Sequence, residues 1–197
     1  MSESPVFRVL TDVVARLEGL QLSYALGGST ASGVWGQPRY TNDIDVNVAL
    51  SPVGRTAFLD AFSTDYLVSE SELDDALDST DEYRMVQALH FQEAFKIDFF
   101  LVGDDPFGQS ALRRAKLVEL GPGACCRVQS PEDVLIFKLR WFEMGNRVSE
   151  RQWNDVVQVL EVQAGHLDLD YLREWAERFH LLDLLEDALA ESDGKEH

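Results

Sequence analysis

The sequence is poor in cysteine and in long apolar runs, and each shortage excludes a class of protein. Its only cysteines, Cys125 and Cys126, are adjacent. Neighbouring cysteines form only a strained disulfide ring, so we expect reduced thiols on a strand rather than a disulfide-stabilised domain. No apolar run approaches the roughly 20 residues that a membrane-spanning helix needs. The first residues lack the basic and apolar regions of a signal peptide, and these features together predict a cytoplasmic protein.

Basic residues are also scarce. The chain has 17 Lys and Arg against 35 Asp and Glu, which gives a formal net charge of -18. Long nucleic acids are bound through clustered Lys and Arg, so this charge argues against sequence-independent binding of long RNA or DNA. A local basic patch could still hold one RNA end or a triphosphate. The four histidines do not have the spacing of zinc ligands, so a zinc site is not expected.

Apolar periodicity divides the chain into two parts. Helical and strand patterns alternate up to about residue 128, and only helical patterns follow Ser130. Ser130-Pro131 is a strong helix start, because it joins a capping hydroxyl to a proline at the first helical position. We therefore predict an α+β protein, with a mixed sheet that carries helices on one face over residues 1–128. A C-terminal helical bundle over residues 129–192 and a disordered tail over residues 193–197 are expected to follow.

Three acidic residues on two predicted strands are candidates for chemistry. Asp43 and Asp45 lie two residues apart on a strand predicted over residues 43–50, so both carboxylates lie on one face. Two like charges so close repel each other, and a divalent cation such as Mg²⁺, which prefers oxygen ligands, removes the repulsion. Asp98 interrupts an apolar strand predicted over residues 94–102, where an unused acid is costly. If these strands are neighbours, the three acids can hold two metal ions.

A glycine-rich segment precedes the acids. Gly27, Gly28 and Ser29 follow a predicted strand and begin a predicted helix, an arrangement that presents backbone N–H groups and a hydroxyl to phosphate. Alone, Gly-Gly-Ser is more often a turn, and Asp-x-Asp fits the solvent face of a half-exposed sheet equally well. Together with Asp98, the two patterns predict a phosphate site beside a metal site.

This combination of residues resembles the nucleotidyltransferase superfamily with the polymerase-β-like fold. The matching pattern is Gly28-Ser29, then Asp43-Ile44-Asp45, then Asp98 within Lys96-Ile97-Asp98. Within the superfamily, the segments Ser130-Pro131-Glu132-Asp133-Val134 and Ser149-Glu150-Arg151-Gln152-Trp153-Asn154-Asp155 are similar to the AbiEii-type group. Members of that group are often the toxins of toxin–antitoxin systems.

The resemblance implies an enzyme that moves a nucleoside monophosphate from an NTP to an acceptor hydroxyl and releases pyrophosphate. It implies two Mg²⁺ ions as cofactors. The catalytic and metal-binding residues that it implies are Asp43, Asp45 and Asp98. The nucleotide-binding residues that it implies are Gly28, Ser29, Arg39, Thr41 and Lys138.

The residues alone leave the last three of these roles open. Lys138 lies on the apolar stripe of a predicted helix, four residues after Val134. Its side chain could extend toward solvent or direct the ammonium into a cleft, and the resemblance favours a phosphate ligand. Arg39 and Thr41 could contact phosphate or shape the entry to the strand.

Two alternatives concern the partners rather than the fold. A non-catalytic partner protein could keep the fold, although it would have no need of three clustered acids. A small-molecule nucleotidyltransferase could modify a cationic aminoglycoside, which suits an acidic protein better than long RNA does. The acceptor is therefore open between an RNA end, a protein and a small molecule. The AbiEii-type resemblance implies an antitoxin partner, and no membrane partner is expected.

Overall fold

The computed structural model describes residues 5–81, 83–121 and 123–194. The chain forms two compact units: the first comprises Met1–Leu26 and Thr41–Val128, and the second comprises Gly27–Tyr40 and Gln129–His197. None of the described helices has the length and apolarity needed to cross a bilayer.

Helices and strands are interspersed up to residue 128, and the described elements after it are helices. The strands are β1 (Tyr24–Leu26), β2 (Asp43–Val48), β3 (Tyr66–Val68), β4 (Met85–His90), β5 (Lys96–Leu101), β6 (Lys116–Gly121) and β7 (Ala124–Val128). The helices are α1 (Pro5–Gly19), α2 (Gly28–Trp35), α3 (Arg55–Phe62), α4 (Glu70–Asp78), α5 (Pro106–Arg114), α6 (Pro131–Met144), α7 (Glu150–Val162), α8 (Leu169–Arg178) and α9 (Leu182–Gly194).

The first unit is built on a seven-stranded sheet with the order β3-β4-β5-β2-β1-β7-β6. The pairs β2–β5 and β1–β7 are parallel, and the other neighbours are antiparallel. The predicted mixed sheet of an α+β protein is therefore confirmed. Strand β3, of three residues, was not predicted.

One face of this sheet forms the core of the first unit. Ile44 and Val46 of β2 and Phe99 of β5 are fully buried. Phe58 and Phe62 of α3 pack against Phe99, with ring centroids 5.1 and 5.3 Å away. Because side chains alternate along a strand, the acids of β2 and β5 lie on the opposite face.

The second unit includes α2, which the sequence analysis assigned to the α/β part. A Cβ atom at Gly36, the residue that follows α2, would lie 3.1 Å from the backbone nitrogen of Val159 in α7. Any side chain there would require the backbone of α7 to move by a few tenths of an ångström, so glycine suits this close approach. The grouping of Gly27–Tyr40 with the C-terminal helices thus depends on packing between residues more than 120 positions apart, for example at Gly36 and Val159.

Helix α6 begins where the capping signal of Ser130 predicts. The hydroxyl of Ser130 accepts a hydrogen bond from the backbone N–H of Asp133, and Ser149 and Asp168 cap α7 and α8 in the same way. The predicted disorder of residues 193 and 194 is wrong, since α9 extends to Gly194. The side chain of Glu191 anchors this end, because it accepts a 2.8 Å hydrogen bond from the indole of Trp153. Residues 195–197 of the predicted tail lie outside the described residues.

The two cysteines are free thiols on β7, as predicted. Cys125 is exposed, whereas Cys126 is 1% exposed, and burial raises the pKa of its thiol to about 11. Since the thiolate is the nucleophile, we expect Cys125 to react with iodoacetamide and Cys126 to react at least roughly a hundredfold more slowly. Mass spectrometry at neutral pH should show one fast adduct, two adducts after unfolding, and none on the fast timescale in Cys125→Ser. Two equally fast adducts in the folded protein would contradict this assignment.

Candidate active site

The three predicted acids come together on one face of the first unit's sheet. Strands β2 and β5 pair in parallel, with Asp45 directly opposite Asp98 and Asp43 directly opposite Lys96. Neighbouring strands lie about 4.8 Å apart, so Asp45 and Asp98 are immediate neighbours. The two strands that the sequence suggested separately are therefore adjacent and in a register that aligns their carboxylates.

Asp98 is the most enclosed of these acids. It is 6% exposed, and its Oδ2 accepts a 2.7 Å hydrogen bond from the ammonium of Lys96. Its other oxygen, Oδ1, is buried and has no hydrogen-bond partner among the described residues. A buried carboxylate oxygen without a donor is costly, and a bound cation would remove that cost.

Asp43 has a different set of contacts. The hydroxyl of Thr41 donates a 2.7 Å hydrogen bond to Oδ1 of Asp43. The ammonium of Lys96 lies 4.0 Å from its Oδ2. Thr41 therefore contacts a carboxylate of the site in this structure, whereas the resemblance implied contact with the nucleotide.

Lys96 is the member of this cluster that sequence reasoning missed. The hydrogen bond to Asp98, together with the charges of Asp98, Asp43 and Asp45, raises the pKa of Lys96. It lies two residues before Asp98 on β5, so the period of two in a strand places both side chains on one face. That spacing was visible in the sequence and could have identified it.

The donor set fits a hard divalent cation. Carboxylate oxygens are the ligands that Mg²⁺ prefers, and Oδ1 of Asp98 needs a partner. As the side chains stand, no three His, Cys, Asp or Glu residues within 5–81, 83–121 and 123–194 are arranged to hold a metal ion. Asp98 and Asp43 are hydrogen-bonded to Lys96 and Thr41 instead. The backbone positions therefore fit a metal site, and binding would require these carboxylates to exchange partners.

The predicted glycine-rich segment begins α2, in the second unit. Gly28 is the first residue of the helix and has a φ of 52°, in the left-handed region where a side chain is strained. The preceding Gly27 is extended and contributes no side-chain cap. The first turn of a helix offers N–H groups that have no intrahelical acceptor, so this end of α2 suits an anion. Ser29 follows within that first turn and is buried.

Arg39 and Lys138, also in the second unit, share one acid. The carboxylate of Asp155 accepts hydrogen bonds from Nε and Nη2 of Arg39 at 3.0 and 2.9 Å, and from Nζ of Lys138 at 2.7 Å. Nζ of Lys138 also donates to the side chain of Gln152 at 3.0 Å. Lys138 and Asp155 are each 4% exposed, so Lys138 does not extend toward solvent.

The charge of Asp155 depends on these partners. Burial alone would raise the pKa of Asp155, but the hydrogen bond from Arg39 and the charge and hydrogen bond of Lys138 together lower it. Sequence reasoning missed Asp155 as the partner of Lys138. Its spacing of four residues from Arg151 is typical of a different pair, along one helix.

Solved structures show what this fold is similar to. A crystal structure of ANT(2")-Ia in complex with adenylyl-2"-tobramycin matches 90% of this chain and 98% of its own, at 12% identity and a TM-score of 0.63. A solution structure of the antibiotic-resistance factor ANT(2")-Ia matches 98% of this chain and 100% of its own, at 13% identity and a TM-score of 0.56. An antigenic nucleotidyltransferase-like protein from Paracoccidioides brasiliensis matches 93% of this chain and 91% of its own, at 16% identity and a TM-score of 0.53.

No protein-family model matches the amino-acid sequence, and no curated protein matches it either. The similarity to the AbiEii-type group stays a prediction. The structural likeness extends over nine-tenths or more of both chains in each comparison, and it includes the α+β architecture that the apolar periodicity predicted. This chain therefore has the nucleotidyltransferase fold.

Proposed function

We propose that this protein transfers a nucleoside monophosphate from an NTP to an acceptor hydroxyl and releases pyrophosphate. The observation that carries the proposal is the register of β2 and β5, which sets Asp45 opposite Asp98, with Asp43 on the same face. A non-catalytic partner protein with this fold would not need such a cluster, because adjacent carboxylates repel and are costly to keep together.

The residues that would hold Mg²⁺ are Asp43, Asp45 and Asp98. When bound, Mg²⁺ would polarise the reacting phosphate and neutralise charge on the leaving pyrophosphate. The chain itself contributes orientation, since Thr41 fixes the carboxylate of Asp43 through its hydrogen bond. Asp98 is assigned to the side of the acceptor hydroxyl, and its enclosure limits water around it.

Gly28 and Ser29 are proposed to bind the β- and γ-phosphates. Strand β1 ends at Leu26, which pairs with Val46, so the chain leaves the sheet at the end of β2 that carries the acids. Gly27 and Gly28 follow directly in the sequence. The N–H groups at a helix start, which have no intrahelical acceptor, support a phosphate site at Gly28 and Ser29.

Arg39, Thr41 and Lys138 are proposed to complete the nucleotide site. Each carries a hydrogen-bond donor of the kind that binds phosphate oxygens, and each already contacts a carboxylate, Asp43 or Asp155. Nucleotide binding would therefore require these donors to share or exchange acceptors. Guanidinium and ammonium groups can do so, because they carry several N–H donors each.

The acceptor that we propose is a small, cationic, hydroxylated molecule of the aminoglycoside kind. Two observations favour it over long RNA. The formal net charge of -18 attracts cations and repels polyphosphate backbones. The ANT(2")-Ia structure that matches 90% of this chain contains adenylyl-2"-tobramycin. A toxin role and an antitoxin partner rest on the sequence resemblance alone.

The test is to look for the transferred group. The protein is incubated with Mg²⁺ and one of the four NTPs, labelled at the α-phosphate. Each mixture also contains one candidate acceptor, which is tobramycin, a short RNA or a test protein. We expect mass spectrometry to show tobramycin carrying one nucleoside monophosphate, with an equal amount of pyrophosphate, and neither product in EDTA. Label on RNA or protein would reassign the acceptor. If no NTP yields pyrophosphate with any acceptor, the proposed activity is wrong.

A further inference from the structure

The ammonium of Lys96 lies within ion-pair distance of two acids of the cluster, Asp43 and Asp98. We propose that Lys96 is an internal cation, which balances the carboxylates in the metal-free protein and is displaced when a divalent cation binds. Lys96 would then compete with the metal and weaken its affinity. This inference rests on the proposed function, since it takes Asp43, Asp45 and Asp98 as the metal-binding residues.

The contacts of Lys96 reach both strands. Its Nζ is 2.7 Å from Oδ2 of Asp98 on its own strand and 4.0 Å from Oδ2 of Asp43 on the neighbouring one. One ammonium therefore offsets part of the repulsion within the cluster, which is the task that a metal ion would perform. A single positive charge and a doubly charged cation cannot both occupy contact distance without a repulsive cost.

The compensation that Lys96 supplies is incomplete. Its ammonium engages Oδ2 of Asp98, while Oδ1 of the same carboxylate is buried without a hydrogen-bond partner among the residues that the structure describes. A bound divalent cation could engage this oxygen and carry twice the charge. The cluster can therefore prefer the metal over the lysine despite the competition.

Lys96 is also placed to move. Its side chain is 40% exposed and belongs to the first residue of β5, whereas the side chain of Asp98 is 9% exposed. Ile97, between them, is fully buried in the core and fixes the strand. The ammonium can therefore swing into solvent by side-chain rotation alone, without movement of the sheet.

The test measures metal affinity and stability in Lys96→Met, which keeps an unbranched side chain of nearly the same length and removes its charge. Isothermal titration with Mg²⁺ and with Mn²⁺ should show affinity roughly tenfold tighter than in the wild type, because a positive charge near the ion has been removed. In EDTA the variant should melt at a lower temperature than the wild type. Saturating metal should raise its melting temperature by more than it raises that of the wild type.

Two further variants separate the causes. Lys96→Gln keeps a hydrogen-bond donor for Asp98 without the charge, so it should also bind metal more tightly, and it serves if Lys96→Met does not fold. Lys116→Met is the matched control, because Lys116 is the exposed first residue of β6, at the far edge of the sheet. Its metal affinity should equal that of the wild type.

The outcomes distinguish this inference from the proposed function. If the wild type binds neither Mg²⁺ nor Mn²⁺, the metal site of the proposed function is wrong and the inference with it. If the wild type binds metal but both Lys96 variants bind it equally or more weakly, the inference alone is overturned. In that case Lys96 would be a positioning residue that orients Asp98.

Discussion

Replacing Asp45 with asparagine is expected to reduce nucleotidyl transfer at least about a hundredfold while leaving the fold intact. Asp45 lies directly opposite Asp98, so both carboxylates can reach the same cation. Asparagine has nearly the same size but lacks the charge that would hold a metal ion. The rate of pyrophosphate release and the affinity for Mg²⁺, measured by calorimetry, should fall together.

Asp60→Asn is the matched control for this substitution. Asp60 is an exposed acid on α3 in the same unit, and its loss should change neither the rate nor the metal affinity. Circular dichroism and thermal melting should show that both variants keep the wild-type structure. If Asp45→Asn transfers at the wild-type rate, Asp45 does not belong to the site. If the wild type itself is inactive, a non-catalytic partner protein is favoured.

Local signals carried most of what the sequence could predict. The two-residue spacing of Asp43 and Asp45 fixed their common face, because side-chain alternation is a property of any strand. The capping residue Ser130 marked the start of α6 correctly, since a cap acts within three residues of itself. These features depend on neighbours in the chain and not on the tertiary structure.

Pairings over long distances could not be derived in that way. More than 50 residues separate Asp45 from Asp98, and no pattern in either strand specifies that β2 and β5 are adjacent or in which register. Their adjacency was expected only through a family resemblance. The position of α2 is a similar case, since its packing depends on a glycine that approaches the backbone of α7.

The partners of the basic residues were the least predictable part of the site. Arg39 lies 116 positions from Asp155, and Lys138 lies 17 positions from it on another helix. Both spacings lack a helical or strand period, so nothing in the sequence distinguished Asp155 from other acids. The sequence therefore did not predict that Lys138 lies in a buried ion pair with Asp155.

Replacing Asp155 with asparagine is expected to destabilise the second unit by about 3–5 kcal/mol at neutral pH, which is typical when one partner of a buried ion pair is removed. The reason is that Lys138, 4% exposed, would lose its 2.7 Å carboxylate partner, and Arg39 would lose its own. Lys138→Met should cost less, because Asp155 would keep Arg39. Tryptophan fluorescence isolates this unit, since all four tryptophans, Trp35, Trp141, Trp153 and Trp175, belong to it.

The loss of stability caused by Asp155→Asn should become smaller as the pH falls. The folded protein lowers the pKa of Asp155, so its stabilising contribution is complete above the unfolded pKa of about 3.9 and is lost as the pH falls through the lower folded value. Urea unfolding followed by fluorescence should therefore show a large gap between wild type and variant at pH 7 that narrows below about pH 4. Asp183→Asn, which breaks the exposed pair with Arg147, should show little gap at pH 7. Equal stability of Asp155→Asn and wild type at pH 7 would show that the fold does not need Asp155 as the partner of Arg39 and Lys138. The guanidinium of Arg39 and the ammonium of Lys138 would then be available to a nucleotide at no cost in stability.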